Sequence, residues 1–184
     1  MHISPDIRSL DIKKLEKILL KQNFKRYRAN QINDWLTKGG VSSFHEMKNL
    51  PKDLISFLNS RFIINNVNIK LTKKSKDGTV KFLISLCDKN IIEAVLIPTE
   101  KRITACISSQ VGCSLDCDFC ATAKIRRMRN LDFYEIFDQT MILNAESSKL
   151  FGRPISNIVF MGMGGPLLNY KNVLKAIEMI CSKK

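Results

Sequence analysis

The spacing of apolar residues changes once along this chain, and that change dictates two kinds of structure. Up to Phe62 they recur three and four apart; beyond the polar stretch NNVN (65–68) they alternate. A helical period does not fit a strand, nor a strand period a helix. In the first part, Leu10, Leu15, Ile18 and Leu19 stand at helical spacing, with lysines on the other face. RYRANQINDWLTKGG reads as a second helix that Gly39 and Gly40 terminate. Short helices are expected in SSFHEMKNL and, after Pro51, in PKDLISFLNSRF, because proline suits a helix start. Residues 1–64 therefore read as a small helical domain, with Trp35 and Phe44 in its core.

In the second part, TVKFLISL (79–86), a turn at Asp88-Lys89-Asn90 and IIEAVLIP (91–98) predict a β-hairpin, so 65–102 reads as a hairpin linker. ITACISSQV (103–111) predicts a further strand running into a cysteine-rich loop. Asp132, with Glu135 three residues on, opens a helix as a capping box. Its expected buried stripe is Phe133, Ile136, Phe137, Thr140 and Leu143. SNIVFMGMGGP reads as a buried strand entering a glycine turn. KNVLKAIEMIC reads as a helix, apolar at Val173, Leu174, Ile177 and Ile180. From Ile103 the order is β-loop-α-β-loop-α, the start of a parallel α/β sheet or barrel. Ligands of such folds bind at the carboxyl ends of the strands. The cysteine loop and the Gly162–Pro166 turn both fall there. Two βα units do not close a barrel, so 103–184 is expected to be an incomplete domain.

Charge narrows the partner. The chain carries 30 Lys and Arg against 17 Asp and Glu, a net +13. Residues 1–74 hold 15 basic and 6 acidic residues, so +9 of that total lies there. A chain this basic usually meets a polyanion, most often nucleic acid, and the first part is the better platform. The alternative is that lysine only solvates the surface. An apolar content of 45% argues against disorder. No secretory h-region and no apolar run near the ~20 residues of a membrane span is present, which predicts a reducing cytoplasm and no membrane partner. In that setting clustered cysteines bind metal more often than they pair.

GCSLDCDFC (112–120) spaces Cys113, Cys117 and Cys120 as C-x3-C-x2-C. Zinc would want a fourth ligand. Cys106 is the nearest candidate, but it sits on the strand before the loop; His2 and His45 have no cysteine nearby. A cubane iron–sulfur cluster on three thiolates leaves one iron open to a substrate. The basic run KIRRMRN (124–130) that follows reads equally as a phosphate contact and as a solvated loop. Glu93, flanked by apolar residues on both faces of its strand, is expected to be partly desolvated, with the raised pKa that suits a proton acceptor.

CISSQVGCSLDCDFCATAK resembles the cluster loop of radical S-adenosylmethionine (SAM) enzymes and, more narrowly, of the RlmN-type adenine-C2 RNA methyltransferases. RANQINDWLTKGGVSSFHEMKNLPKDL, DGTVKFLISL, IIEAVLIPTEKRITACISSQVGC, RNLDFYEIFDQ and SNIVFMGMGGPLLNYKNVLKAIEMI are similar to that family in the same order. The resemblance implies the first two βα units of a partial (βα)6 barrel. It implies a [4Fe–4S] cluster on Cys113, Cys117 and Cys120, with SAM chelating the open iron. One-electron reduction then cleaves SAM to a 5′-deoxyadenosyl radical. Phe119 would contact the SAM adenine, and Gly164 and Gly165 would approach SAM through their backbone. Cys106 matches the resolving cysteine, which releases a covalent RNA adduct by forming a disulfide with a methyl-carrier cysteine near the C-terminus. Glu93 matches the residue that takes the C2 proton. The implied substrates are 23S rRNA and tRNA, and the implied electron donor is a reductase or flavodoxin-type protein acting on a monomer. Where the family has Gly-Glu-Pro, this chain has Gly165 before Pro166, so no carboxylate meets the SAM amino group. Alternatives to an active enzyme are a non-catalytic RNA-binding fragment and a split enzyme completed by a second chain.

Overall fold

The computed structural model describes residues 4–115 and 117–182; His2 lies outside them. The chain divides into two compact units, residues 1–65 and 66–182. In the first, α1 (Ile12–Lys21) starts at Asp11, whose carboxylate accepts the Lys14 N–H at 2.7 Å. That bond satisfies one of the unpaired donors of the first turn. Leu15 and Leu19 point inward, as their spacing predicts. α2 (Arg28–Asp34) runs into a π-helical turn at Trp35–Gly39, and Gly40 closes it in the left-handed region, φ +60°. α3 (Lys52–Arg61) follows Pro51. Phe44, Leu54, Leu58 and Ile32 complete the core. Trp35 only packs against its margin, and its indole N–H donates to Asn49 Oδ1 at 2.6 Å.

A buried ion pair ties the ends of this unit. Arg8 and Asp6 meet at 2.9 Å, Arg8 also donates to the Asn65 carbonyl, and the Asn65 N–H donates to Asp6. Each charge is thus paired and further hydrogen-bonded, the condition for a buried pair to be tolerated.

The second unit is built on a five-stranded mixed sheet. Its strands are β1 (Asn68–Lys74), β2 (Val80–Ser85), β3 (Ile91–Pro98), β4 (Ile103–Cys106) and β7 (Asn157–Val159), in that order across the sheet. The first four pair antiparallel, and β4 and β7 pair parallel. Residues 68–98 thus supply three strands of the sheet that contains β4. β1 escapes a reading by apolar alternation. It is a lysine-rich edge strand, exposed except at Ile69, which packs partly buried against the core, and it is held mainly by backbone pairing with β2.

The strand expected over 103–111 is interrupted. After Cys106 the chain leaves the ladder, and Gln110–Val111 (β5) pairs instead with Arg129–Asn130 (β6). The cause lies at Ser108 and Ser109: their backbone N–H groups donate to the Gln139 side chain and to the Met163 carbonyl rather than to a neighbouring strand.

One sheet face is closed by helices. Phe82, Ile84, Ile92, Ala94, Leu96, Ile103 and Ala105 form the core with α4 (Phe133–Phe151) and α5 (Tyr170–Cys181). All five residues of the expected α4 stripe are buried, and its capping box is formed. α5 departs from expectation: Val173 and Ala176 turn inward, while Leu174 and Ile177 stay more than a third exposed. No helix among the described residues is long and apolar enough to cross a membrane.

Candidate active site

The segment from 112 to 128 connects β5 to β6 as a closed loop. The β5–β6 ladder pins its base, and the Cys113 N–H donates to the Ile125 carbonyl at 3.1 Å. Gly112 makes this crossing possible. Its φ is +73°, and a Cβ there would stand 2.3 Å from the Arg126 carbonyl oxygen. Arg129 anchors the returning strand. Its guanidinium holds Glu135 through two bonds of 2.7 and 2.8 Å and Asp88 through a third of 2.7 Å. Hydrogen bonding to Glu135 holds Arg129 protonated more firmly than usual and outweighs its burial. The most deeply anchored member of the basic run is therefore committed to structure rather than to phosphate.

The three loop cysteines are free thiols, each half-buried. Two receive backbone donors. The Leu115 N–H points at Cys113 Sγ, 3.4 Å away. The N–H groups of Thr122 and Ala123, in the 3-10 turn Ala121–Lys124, lower the Cys120 thiol below its ordinary value. Such donors favour the thiolate, the form that ligates metal. Among the described residues no three His, Cys, Asp or Glu side chains already stand close enough to hold an ion. The donor set fits a thiolate-bound cluster, and its binding would have to draw the sulfurs together. Phe119, between the second and third cysteines, is 94% exposed.

The glycine turn lies against this loop. A Cβ on Gly165 would be 3.0 Å from Leu115 Cδ1, so turn and loop touch. Gln110 locks the turn: its Oε1 accepts the Gly165 N–H, and its Nε2 donates to Asn130. Gly164, at φ +91°, passes so close that a Cβ would meet Gln110 at 2.4 Å. Ser108 adds a second tie, accepting the Met163 N–H and donating to the Glu93 carbonyl. Its neighbour Ser109 Oγ is buried with no partner among the described residues.

Glu93 and Cys106 share the sheet face that the helices leave free. Cys106 lies opposite Val95, two residues from Glu93 along β3. Burial raises the Cys106 thiol above its ordinary value, against a weaker lowering by the Met161 N–H. The Glu93 carboxylate is not alone, as its apolar flanks led us to expect. It is about one-third exposed and pairs with Lys81 at 2.7 Å. Sequence reasoning passed over Lys81, although counting back from the hairpin turn sets it diagonal to Glu93.

Comparisons with known proteins agree with this picture. The described fold is similar to a crystal structure of a radical SAM methyltransferase from Sphaerobacter thermophilus. The TM-score is 0.79 at 33% identity, covering 96% of this chain and 52% of that one. The fold is therefore that of the radical SAM methyltransferase class. A family model described as the ribosomal RNA large subunit methyltransferase N-terminal domain matches residues 6–64. The probable dual-specificity RNA methyltransferase RlmN of Flavobacterium johnsoniae is 50% identical over 179 residues, 97% of this chain and 51% of that protein. The dual-specificity RNA methyltransferase RlmN of Geotalea uraniireducens is 41% identical over 175 residues, 95% and 49% respectively. Over nearly its whole length the chain is similar to RlmN-type RNA methyltransferases, and it spans about half the length of the curated relatives it matches.

Proposed function

We propose that this chain carries the cluster-binding half of a radical SAM methyltransferase that modifies C2 of adenine in large-subunit ribosomal RNA and in tRNA. The observation that carries the reading is one juxtaposition. The cysteine loop and the glycine turn meet at the ends of β4 and β7, beside the sheet face that presents Glu93 and Cys106. Cys113, Cys117 and Cys120 would hold a [4Fe–4S] cluster, which together with SAM supplies one-electron cleavage chemistry. Phe119 offers a ring to the SAM adenine, and Gly164 and Gly165 admit SAM close to the backbone. Glu93, paired with Lys81, accepts the C2 proton. Cys106 resolves the RNA adduct as a disulfide with a methyl-carrier cysteine, supplied from the length of the family's architecture that this chain does not span. β4, α4, β7 and α5 are the first two units of a partial (βα)6 barrel. The protein works in the cytoplasm as a monomer, and a reductase or flavodoxin-type protein delivers the electron. The helical domain, residues 1–64, with its excess of lysine, grips the RNA backbone.

Anaerobic reconstitution of the full chain with iron and sulfide tests the cluster assignment. About four irons per chain and broad visible absorption are expected, and Cys117→Ala abolishes both. Tight zinc uptake with no iron retained overturns it.

A further inference from the structure

We infer that Lys73 and Lys81 form a two-lysine seat for a phosphodiester of the RNA substrate, on the sheet face that carries Glu93; this rests on the RNA-modifying reading above. The inference starts from register. β1 and β2 set Lys73 directly opposite Lys81, so both ammonium groups leave the same side of the sheet. Like charges facing each other across an antiparallel pair oppose folding. One carboxylate offsets this arrangement: Glu93, 2.7 Å from Lys81 Nζ. Lys73 has no carboxylate partner among the described residues and is exposed. Two cations and one anion leave a net positive charge on this face.

An edge strand gains from lysines that discourage pairing with another chain. That accounts for Lys70, Lys73 and Lys74 on β1, but not for Lys81, which lies on an interior strand and faces Lys73. A bridging anion turns the repulsion into attraction. The anion must stand beside a carboxylate without being expelled, so it has to bind Lys73 and Lys81 together. A phosphate of the nucleic acid backbone has the charge and the several acceptor oxygens this requires. The exposed apolar neighbours on the same face, Leu71 and Ile97, suit the sugar and base that flank it. Lys81 then joins the phosphate seat to the proton-accepting carboxylate, which registers the strand of RNA against Glu93.

The test is a salt titration of the full chain with a single-stranded 20-nucleotide RNA. Each lost phosphate contact lowers the slope of log K against log salt by roughly 0.7 on a single strand. Lys73→Gln is expected to weaken binding three- to tenfold at low salt and to reduce the slope by about that amount. Its melting temperature is expected to hold or rise, because a repulsive pair is gone. Lys81→Arg is expected to keep both affinity and slope. Lys101→Gln, an exposed lysine in the β3–β4 turn, serves as the charge control. Equal affinity and slope for Lys73→Gln and the parent chain overturn the seat while leaving the RNA reading intact. So does an equal loss for Lys101→Gln, because then only net charge matters. Failure of the parent chain to bind RNA at low salt overturns the RNA reading itself, and the seat with it.

Discussion

At the scale of single residues, Gly165 separates what the backbone permits from what the chemistry wants. Its φ is −91°, open to any residue, and the atoms nearest to a Cβ there would belong to the side chains of Leu115 and Leu168, at 3.0–3.4 Å. Those flexible side chains can move by a few tenths of an ångström. Gly165→Glu is therefore expected to fold and to restore the acidic residue seen in the resembling motif. A charge-assisted bond to the SAM amino group is worth about 1.5–3 kcal/mol, so SAM affinity should rise about tenfold or more by calorimetry. Unchanged affinity in a folded variant would show that the position does not face SAM. Gly164 offers no such latitude, because φ and the approach of Gln110 both exclude a side chain. The cysteines make a second residue-scale prediction. Burial raises the Cys106 thiol, while the N–H groups of Thr122 and Ala123 lower that of Cys120. A raised thiol favours its neutral form in the fold. Its contribution to stability is full below the unfolded pKa of about 8.5 and is lost as pH rises through and above it. In the metal-free chain, alkylation followed by peptide mass spectrometry should reach its midpoint at lower pH for Cys120 than for Cys106. Coincident midpoints would contradict the assigned environments.

At the scale of elements, the base of the cysteine loop depends on α4. Arg129 joins the loop's returning strand to the first turn of that helix and to the β2–β3 turn through Glu135 and Asp88. Glu135 is 3% exposed and also accepts the Asp132 N–H that completes the capping box. Glu135→Gln leaves the guanidinium half-buried with one carboxylate instead of two. It should lower stability by about 2 kcal/mol, less than a fully buried pair because Arg129 is partly exposed. Chemical denaturation measures this, and a change below about 0.5 kcal/mol, the scatter of ordinary surface substitutions, would mean that the anchor is not structural. The sequence displayed the capping box, since Asp132 and Glu135 carry a local signal. It hid the ion pair, whose partners Asp88 and Arg129 lie 41 positions apart.

At the scale of the whole molecule, the period change near residue 65 coincides with the division between two units, each with its own core. The α4 stripe, the hairpin and the parallel β4–β7 pair were legible because burial on one face writes itself into spacing. β1 was not, because an edge strand that packs only Ile69 against the core leaves too short an apolar alternation to read. The break of β4 after Cys106 was hidden for a related reason: Ser108 and Ser109 find partners on α4 and the glycine turn, far along the chain. Of the candidate site, Cys113, Cys117, Cys120 and the glycine turn stood out by motif. That Glu93 has Lys81 as counterion required the register of the sheet. On the proposed function, three thiolates serve a cluster whose remaining position belongs to SAM. Electron paramagnetic resonance of the reconstituted, reduced chain, without and with a large excess of SAM, tests this most directly. SAM is expected to change the cluster's signal, and a SAM analogue lacking the amino group is expected to leave it unchanged. A cluster signal that SAM leaves unaltered would contradict that function.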